Sequence, residues 1–204
     1  MGGIKRAGAK CDLWRGYFLG DTRGEKMIFI VLGTQKFQLN RLLKLMDRYI
    51  SSGVIKEEVF AQIGFSDYLP KHYDYVEFLD KADFEAKIQE ADLVIAHSGV
   101  GTIINAINAG KPVIVFPRLS KYKEHVDDHQ KDIAYAFSKK KFVLFCEEEN
   151  DLIDIIEKSR TFHFEHYVSQ RKRIVNLVEN FIQTNGEICS QKECDLSCRE
   201  KKEY

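Results

Sequence analysis

Apolar positions along this chain alternate between two patterns. Short unbroken runs such as Met27–Leu32 (M-I-F-I-V-L) and Val113–Pro117 (V-I-V-F-P) are rich in β-branched residues. Such runs suit strands buried on both faces. Between them, apolar residues recur three and four apart. Leu39, Leu42, Leu43, Met46, Tyr49 and Ile50 predict one helix, stopped by Gly53. Val59–Ile63 reads as a second strand ended by Gly64, and Tyr75–Leu79 as a short third. Asp80 is placed to cap a helix that turns Phe84, Ile88 and Ala91 inward. Asp92–Pro117 then reads as strand, turn, helix (about Thr102 to Ala109) and strand, with Gly110 and Pro112 closing the helix.

Beyond it, a helix is predicted from near Glu124–Asp128 to about Lys139, and a strand over Phe142–Cys146. A helix capped by Asn150 or Asp151 follows, carrying Leu152, Ile155 and Ile156. A last helix is expected near Phe164–Gln183, with Tyr167, Ile174, Leu177, Val178 and Phe181 inside. Strands alternating with helices predict an α/β fold: a single Rossmann-like domain with a parallel sheet covered on both faces. The expected division is an irregular N-terminal extension over 1–26, with Met27 as a natural start, a domain over 27–185, and a polar tail over 186–204.

Composition narrows the class. Thirty-one basic residues balance thirty-one acidic ones, so no global field draws in nucleic acid or an anionic membrane. No apolar run approaches the roughly 20 residues that span a bilayer, and no signal-like apolar region opens the chain. A cytoplasmic location is the expectation. Five cysteines, an odd number, fit reduced thiols better than a disulfide framework, and Cys189, Cys194 and Cys198 are too unevenly spaced for a zinc site.

The chemistry collects where strands hand over to helices. His97-Ser98-Gly99-Val100-Gly101-Thr102 lies between a strand and a helix N-terminus, where α/β folds bind ligands and where free N–H groups suit a phosphate. It is not a dinucleotide fingerprint, because Ile104 stands at the third glycine position, and no G-K-[ST] makes it a P-loop. Gly33-Thr34-Gln35 is a second such turn. Should the two strands lie side by side, both turns open on one edge. Glu124-His125-Val126-Asp127-Asp128-His129-Gln130 belongs to the same edge, where Asp128 and Gln130 could hydrogen-bond sugar hydroxyls. His125 and His129, four apart, could reach a metal but lack the rest of a metalloprotease pattern, so no metal is assigned. His97 could donate to an anion or act as a base.

Three segments together resemble the C-terminal domain of family 28 glycosyltransferases: M-I-F-I-V-L-G-T-Q-K-F at 27–37, A-D-L-V-I-A-H-S-G-V-G-T at 91–102, and P-R-L-S-K-Y-K-E-H-V-D-D-H-Q at 117–130. The likeness is greatest to the small subunit of two-part bacterial exopolysaccharide and capsule glycosyltransferases. It extends more distantly to the small subunit of the eukaryotic dolichol-linked N-acetylglucosaminyltransferase. The resemblance implies the donor-binding half of a GT-B enzyme, working without a cofactor. His97, Ser98, Gly99, Gly101 and Thr102 would hold the diphosphate of a UDP-sugar donor, with Gly33 and Thr34 on the opposite wall. Asp128, His129 and Gln130 would meet the donor sugar or ribose, with Glu124 a further candidate. Where full-length members place a ribose-gripping Glu, this chain has Asn105, which lacks charge-assisted strength. A separate membrane-anchored subunit would supply the acceptor site and the base, leaving His97 as the in-chain candidate. The implied reaction is inverting transfer of a hexose to a lipid-linked saccharide at the inner face of the cell membrane. A non-catalytic nucleotide-sugar-binding subunit is the alternative.

Overall fold

The computed structural model describes residues 26–168, together with Asn176 and Glu179. Six parallel strands run in the order β3-β2-β1-β4-β5-β6: β1 Met27–Val31, β2 Glu58–Gln62, β3 Asp74–Val76, β4 Leu93–Ala96, β5 Val113–Val115 and β6 Leu144–Phe145. The helices are α1 Asn40–Ser51, α2 Lys81–Glu90, α3 Val100–Asn108, α4 His129–Lys139 and α5 Leu152–Ser159. This is the expected α/β architecture with a Rossmann strand order.

Alternation along the strands builds two cores. Ile28, Ile30, Val59, Ala61, Leu93, Ile95 and Ile114 point to the face covered by α1 (Leu42, Leu43, Met46) and α5 (Leu152, Ile156). Met27, Phe29, Val31, Phe60, Val94, Ala96, Val113 and Val115 point to the other, covered by α2 (Ile88), α3 (Ile103, Ala106) and α4 (Ala134). Both faces being dry explains the unbroken apolar runs. Asp80 caps α2 as expected, accepting from the Asp83 N–H at 2.9 Å. Gly110, at φ 71°, leads the chain out of α3. One buried carboxylate interrupts the apolar face of α1. Asp47 accepts from the Tyr68 hydroxyl at 2.5 Å and from the Lys71 and His72 N–H groups, tying down that loop. Burial pushes its carboxyl up, but those hydrogen bonds outweigh burial and hold it below the usual carboxylate range.

Several boundaries differ from expectation. The third strand is Asp74–Val76 rather than Tyr75–Leu79, because the Leu79 N–H turns to the Gln62 side chain at 3.1 Å. The helix α3 starts at Val100, which puts Gly101 in its first turn rather than ahead of it. The helix α4 starts at His129. A 3-10 turn over Ser120–Tyr122 ends in left-handed Lys123 (φ 58°), and Glu124–Asp128 stay irregular.

The chain divides into two compact units, Met1–His166 and Tyr167–Tyr204, the first holding the whole sheet. Residues 162–168 have no regular secondary structure, so the helix expected from Phe164 does not start there; Asn176 and Glu179 are helical. The extension over 1–25, the positions Ile174, Leu177, Val178 and Phe181, and the tail over 186–204 with its cysteines lie outside the described residues. Cys146 is a buried free thiol. No described helix is long and apolar enough to cross a membrane.

Candidate functional site

The strands β1 and β4 are hydrogen-bonded neighbours, in register from Ile28–Leu93 to Val31–Ala96. Their exits diverge: β1 leads to α1 on one face of the sheet, and β4 leads to α3 on the other. Divergence opens a crevice at the carboxyl edge, the place where doubly wound sheets bind ligands. Here it is a cleft of ≈ 570 Å³. The Gly33–Gln35 turn and the His97–Thr102 stretch form two of its walls, so the two turns do converge. Gln62 from β2, Leu79–Lys81 and Phe84 from the start of α2, and His125, His129, Gln130 and Ile133 around the start of α4 complete the lining.

His97 is buried and doubly attached to one carbonyl. Its N–H donates to the Val31 oxygen at 3.1 Å, extending the sheet ladder, and its Nδ1 lies 3.2 Å from the same oxygen. A carbonyl only accepts, so Nδ1 carries the proton and Nε2 presents a lone pair. Burial, then the nearby Arg118 charge, lower the imidazole to about 4, against the opposing effect of the Val31 bond. The ring is therefore neutral at pH 7 and faces the cleft as a weakly basic acceptor, not as the anion donor that its position suggested. The unfolded chain binds this proton below about pH 6.5, whereas the folded chain resists it until about 4. Folding stability should fall across that window, by about 2–3 kcal/mol at pH 4.5. Thermal melts of His97→Asn, whose amide can still donate to Val31, should show a shallower slope between pH 7 and 4.5. Equal slopes would contradict the assignment.

Two glycines exist for this ring. A Cβ on Gly33 would lie 2.4 Å from His97 Cε1, and a Cβ on Gly99 would lie 2.4 Å from Nε2. The imidazole is thus held between the two cleft turns. Beyond Gly99, the first-turn N–H groups of Val100, Gly101 and Thr102 have no intrahelical acceptor, and no side chain caps them. The buried Ser98 Oγ has no hydrogen-bond partner either.

The remaining polar groups are mostly donors. Gln62 Oε1 accepts from the Leu79 N–H and Gln130 Oε1 from the Arg118 N–H, both at 3.1 Å. A main-chain N–H can only donate, so each buried carboxamide keeps its NH2 uncommitted. Lys81 adds a cation, and the Thr34 and Thr102 hydroxyls line the walls. Asp80, the sole carboxylate among the described lining residues, is committed to its cap. A site rich in donors and a helix dipole, and poor in free carboxylate, suits an anion.

A model of the glycosyltransferase family 28 C-terminal domain matches residues 27–184. The chain belongs to this family. A human UDP-N-acetylglucosamine transferase subunit ALG13 is 27% identical over 130 residues, 59% of this chain and 11% of that protein. A protein of the same name from Cryptococcus neoformans is 33% identical over 82 residues, 39% of this chain and 37% of that one. The chain thus spans about a tenth of the length of the mammalian relatives that it matches. Among solved structures, the glycotransferase of kitacinnamycin superposes with a TM-score of 0.54 at 15% identity, over 76% of this chain and 40% of that one, a likeness of fold.

In this family 28 domain three candidates stand outside the cleft. Glu124 turns inward to a bidentate ion pair with Arg41 (Nε–Oε1 3.1 Å, Nη2–Oε2 3.0 Å) and accepts the Leu119 N–H at 3.2 Å. Asp128 accepts the Ser120 N–H at 2.8 Å. Asn105 is exposed on α3, away from the lining. His125 lines the cleft instead, its ring 4.6 Å from Phe37 and its Nδ1 3.0 Å from Asp127 Oδ1. Among the described residues no group of three or more His, Cys, Asp or Glu assembles to hold a metal. Sequence reasoning missed Gln62, Leu79, Lys81, Phe84 and Ile133. The available signal was their position at strand ends and helix starts on the same sheet edge.

Proposed function

We propose that the cleft binds the diphosphate of a UDP-sugar and that this chain is the donor-binding subunit of a two-part glycosyltransferase. The carrying observation is the convergence of the uncapped α3 N-terminus and the unpartnered Ser98 hydroxyl on a cleft whose only lining carboxylate among the described residues is already bonded. The relatives, UDP-N-acetylglucosamine transferase subunits, support the same reading. The acceptor hydroxyl attacks the anomeric carbon, the bond from that carbon to the β-phosphate oxygen breaks, and UDP leaves with inversion. Charge gathering on the leaving diphosphate meets backbone N–H groups that need no reorganisation. The acceptor proton goes to a base on the other subunit, because His97 near pKa 4 is too weak to hold it. That subunit is membrane-anchored and presents a lipid-linked saccharide, as in exopolysaccharide or capsule assembly, and this chain sits at the cytoplasmic membrane face through it. UDP-N-acetylglucosamine, UDP-glucose and UDP-galactose are the donors to compare.

Gly101→Asp tests the assignment cleanly. A Cβ at Gly101 meets nothing within 4 Å, and a carboxylate in the first turn of a helix favours the helix. The variant should keep its melting temperature and lose UDP affinity by about tenfold or more in calorimetry. Unchanged affinity refutes the site. The committed state of Asp80 also favours a second reading, a non-catalytic nucleotide-sugar-binding subunit that only enhances a partner transferase. Transferase activity with the acceptor subunit present, lowered by Gln130→Ala, decides against it.

A further inference from the structure

Among the described residues Arg118 is one of the most deeply buried side chains, although it does not line the cleft. Among the described residues its guanidinium forms no salt bridge, and the Glu124 charge acts on it only through space. Nη2 donates to the Leu32 carbonyl at 2.5 Å and to the Phe37 carbonyl at 3.0 Å, and Nε donates to the Gln38 carbonyl at 3.3 Å. Nη1 is buried with no partner. A buried cation with no carboxylate bonded to it is costly, so a position that keeps one calls for a reason other than packing. The three carbonyls bracket the segment Gly33–Lys36, which carries the cleft wall between β1 and α1. Only a planar fork reaches all three at once; a lysine head is a single point and cannot.

We propose that Arg118 is the positioning residue of the cleft: its guanidinium gathers the two ends of the Gly33–Lys36 turn and so sets that wall against His97 and the α3 N-terminus. The same residue's N–H fixes Gln130 on the opposite side. Main chain and side chain of one residue therefore register two walls. That the registered wall serves a diphosphate rests on the reading above. Burial lowers the guanidinium to about 10, with the Glu124 charge opposing, so it stays cationic at pH 7. Its field then favours an anion in the adjoining cleft as well as a neutral His97.

The test uses the full 204-residue chain with Arg118→Lys and Arg118→Ala, and UDP as the probe. Without any ligand, the backbone amide signals of Gly33, Thr34 and Gln35 should shift or broaden in Arg118→Lys, while the Gln130 side-chain amide, held by a main-chain N–H, stays in place. UDP affinity should fall by about tenfold or more, and millimolar guanidinium should restore most of it to Arg118→Ala. Unmoved turn amides with wild-type UDP affinity overturn the proposal. So do changes spread evenly over the sheet, which a merely structural role would give. Wild-type protein that ignores UDP sinks the proposed function, while the ligand-free amide shifts still judge Arg118. For variants that do not fold, the wild-type Arg118 Nε–H is followed instead. It should exchange slowly and shift on UDP addition, and a solvent-fast, unresponsive signal overturns the role.

Discussion

Alanine at Gly33 or Gly99 is expected to destabilise the protein severely, whereas alanine at Gly101, in the same glycine-containing stretch, should stabilise it slightly. The new methyl at either of the first two positions would sit 2.4 Å from an atom of the His97 ring. That ring cannot retreat: Val31 holds its Nδ1, and each glycine blocks the way past the other. Overpacking of this kind costs about 1–3 kcal/mol. Gly33 also has φ +73°, where a non-glycine residue costs roughly 1–2 kcal/mol more. Gly33→Ala should therefore lose about 2–5 kcal/mol and Gly99→Ala about 1–3. Gly101 meets nothing within 4 Å and lies in the first turn of α3, so alanine there gains up to about 1 kcal/mol of helix propensity. A double-mutant cycle isolates the cause. His97→Ala removes the obstacle, so Gly99→Ala on that background should cost much less than alone. Additive effects would mean that the glycine serves something other than the ring.

That arrangement shows where the sequence was readable. The runs Met27–Leu32 and Val113–Pro117 announce central strands because both their faces are buried, and local composition alone carries that fact. The crevice followed from two glycine turns at strand ends, since a parallel sheet puts all such ends on one edge. The partners of each side chain were not legible. Nothing local says that the His97 ring fills the space between Gly33 and Gly99, because the register of β1 against β4 brings Gly33 to the ring across more than sixty positions. Gln62 read as strand interior, yet as the last residue of β2 it reaches the cleft. The polar stretch 124–130 read as the start of a helix. In fact Lys123 turns the chain left-handed, and its carboxylates part: Glu124 goes to Arg41 and Asp128 to Ser120. Its place after a strand-end loop put the segment at the right edge but could not assign its members.

Glu124 gives the largest stability effect expected away from the cleft and separates the two roles that it could have had. Its carboxylate and the Arg41 guanidinium are both nearly buried, with side-chain exposures of 7% and 9%. The guanidinium also lies over the Phe116 ring at 4.3 Å and the Tyr122 ring at 4.5 Å, so it cannot swing out to water cheaply. Glu124→Gln would leave Arg41 inside the protein with no bidentate carboxylate, and would take from the buried Arg118 the nearby charge that supports its cation. Glu149, 4.0 Å from Arg41 and a third exposed, compensates only in part. Breaking a buried pair from one side costs about 3–5 kcal/mol, and the Glu149 contact puts this variant near the lower figure. For a domain of this size that is a loss of roughly 6–12 °C in melting temperature. Replacing both partners, as Arg41→Met with Glu124→Met, should recover most of it, because the desolvation cost of two charges disappears with them. At low temperature, where Glu124→Gln is still folded, UDP affinity should stay within about threefold of wild type. The opposite outcome, an unchanged melting temperature with affinity lost, would return Glu124 to the ligand and make the Arg41 pair incidental.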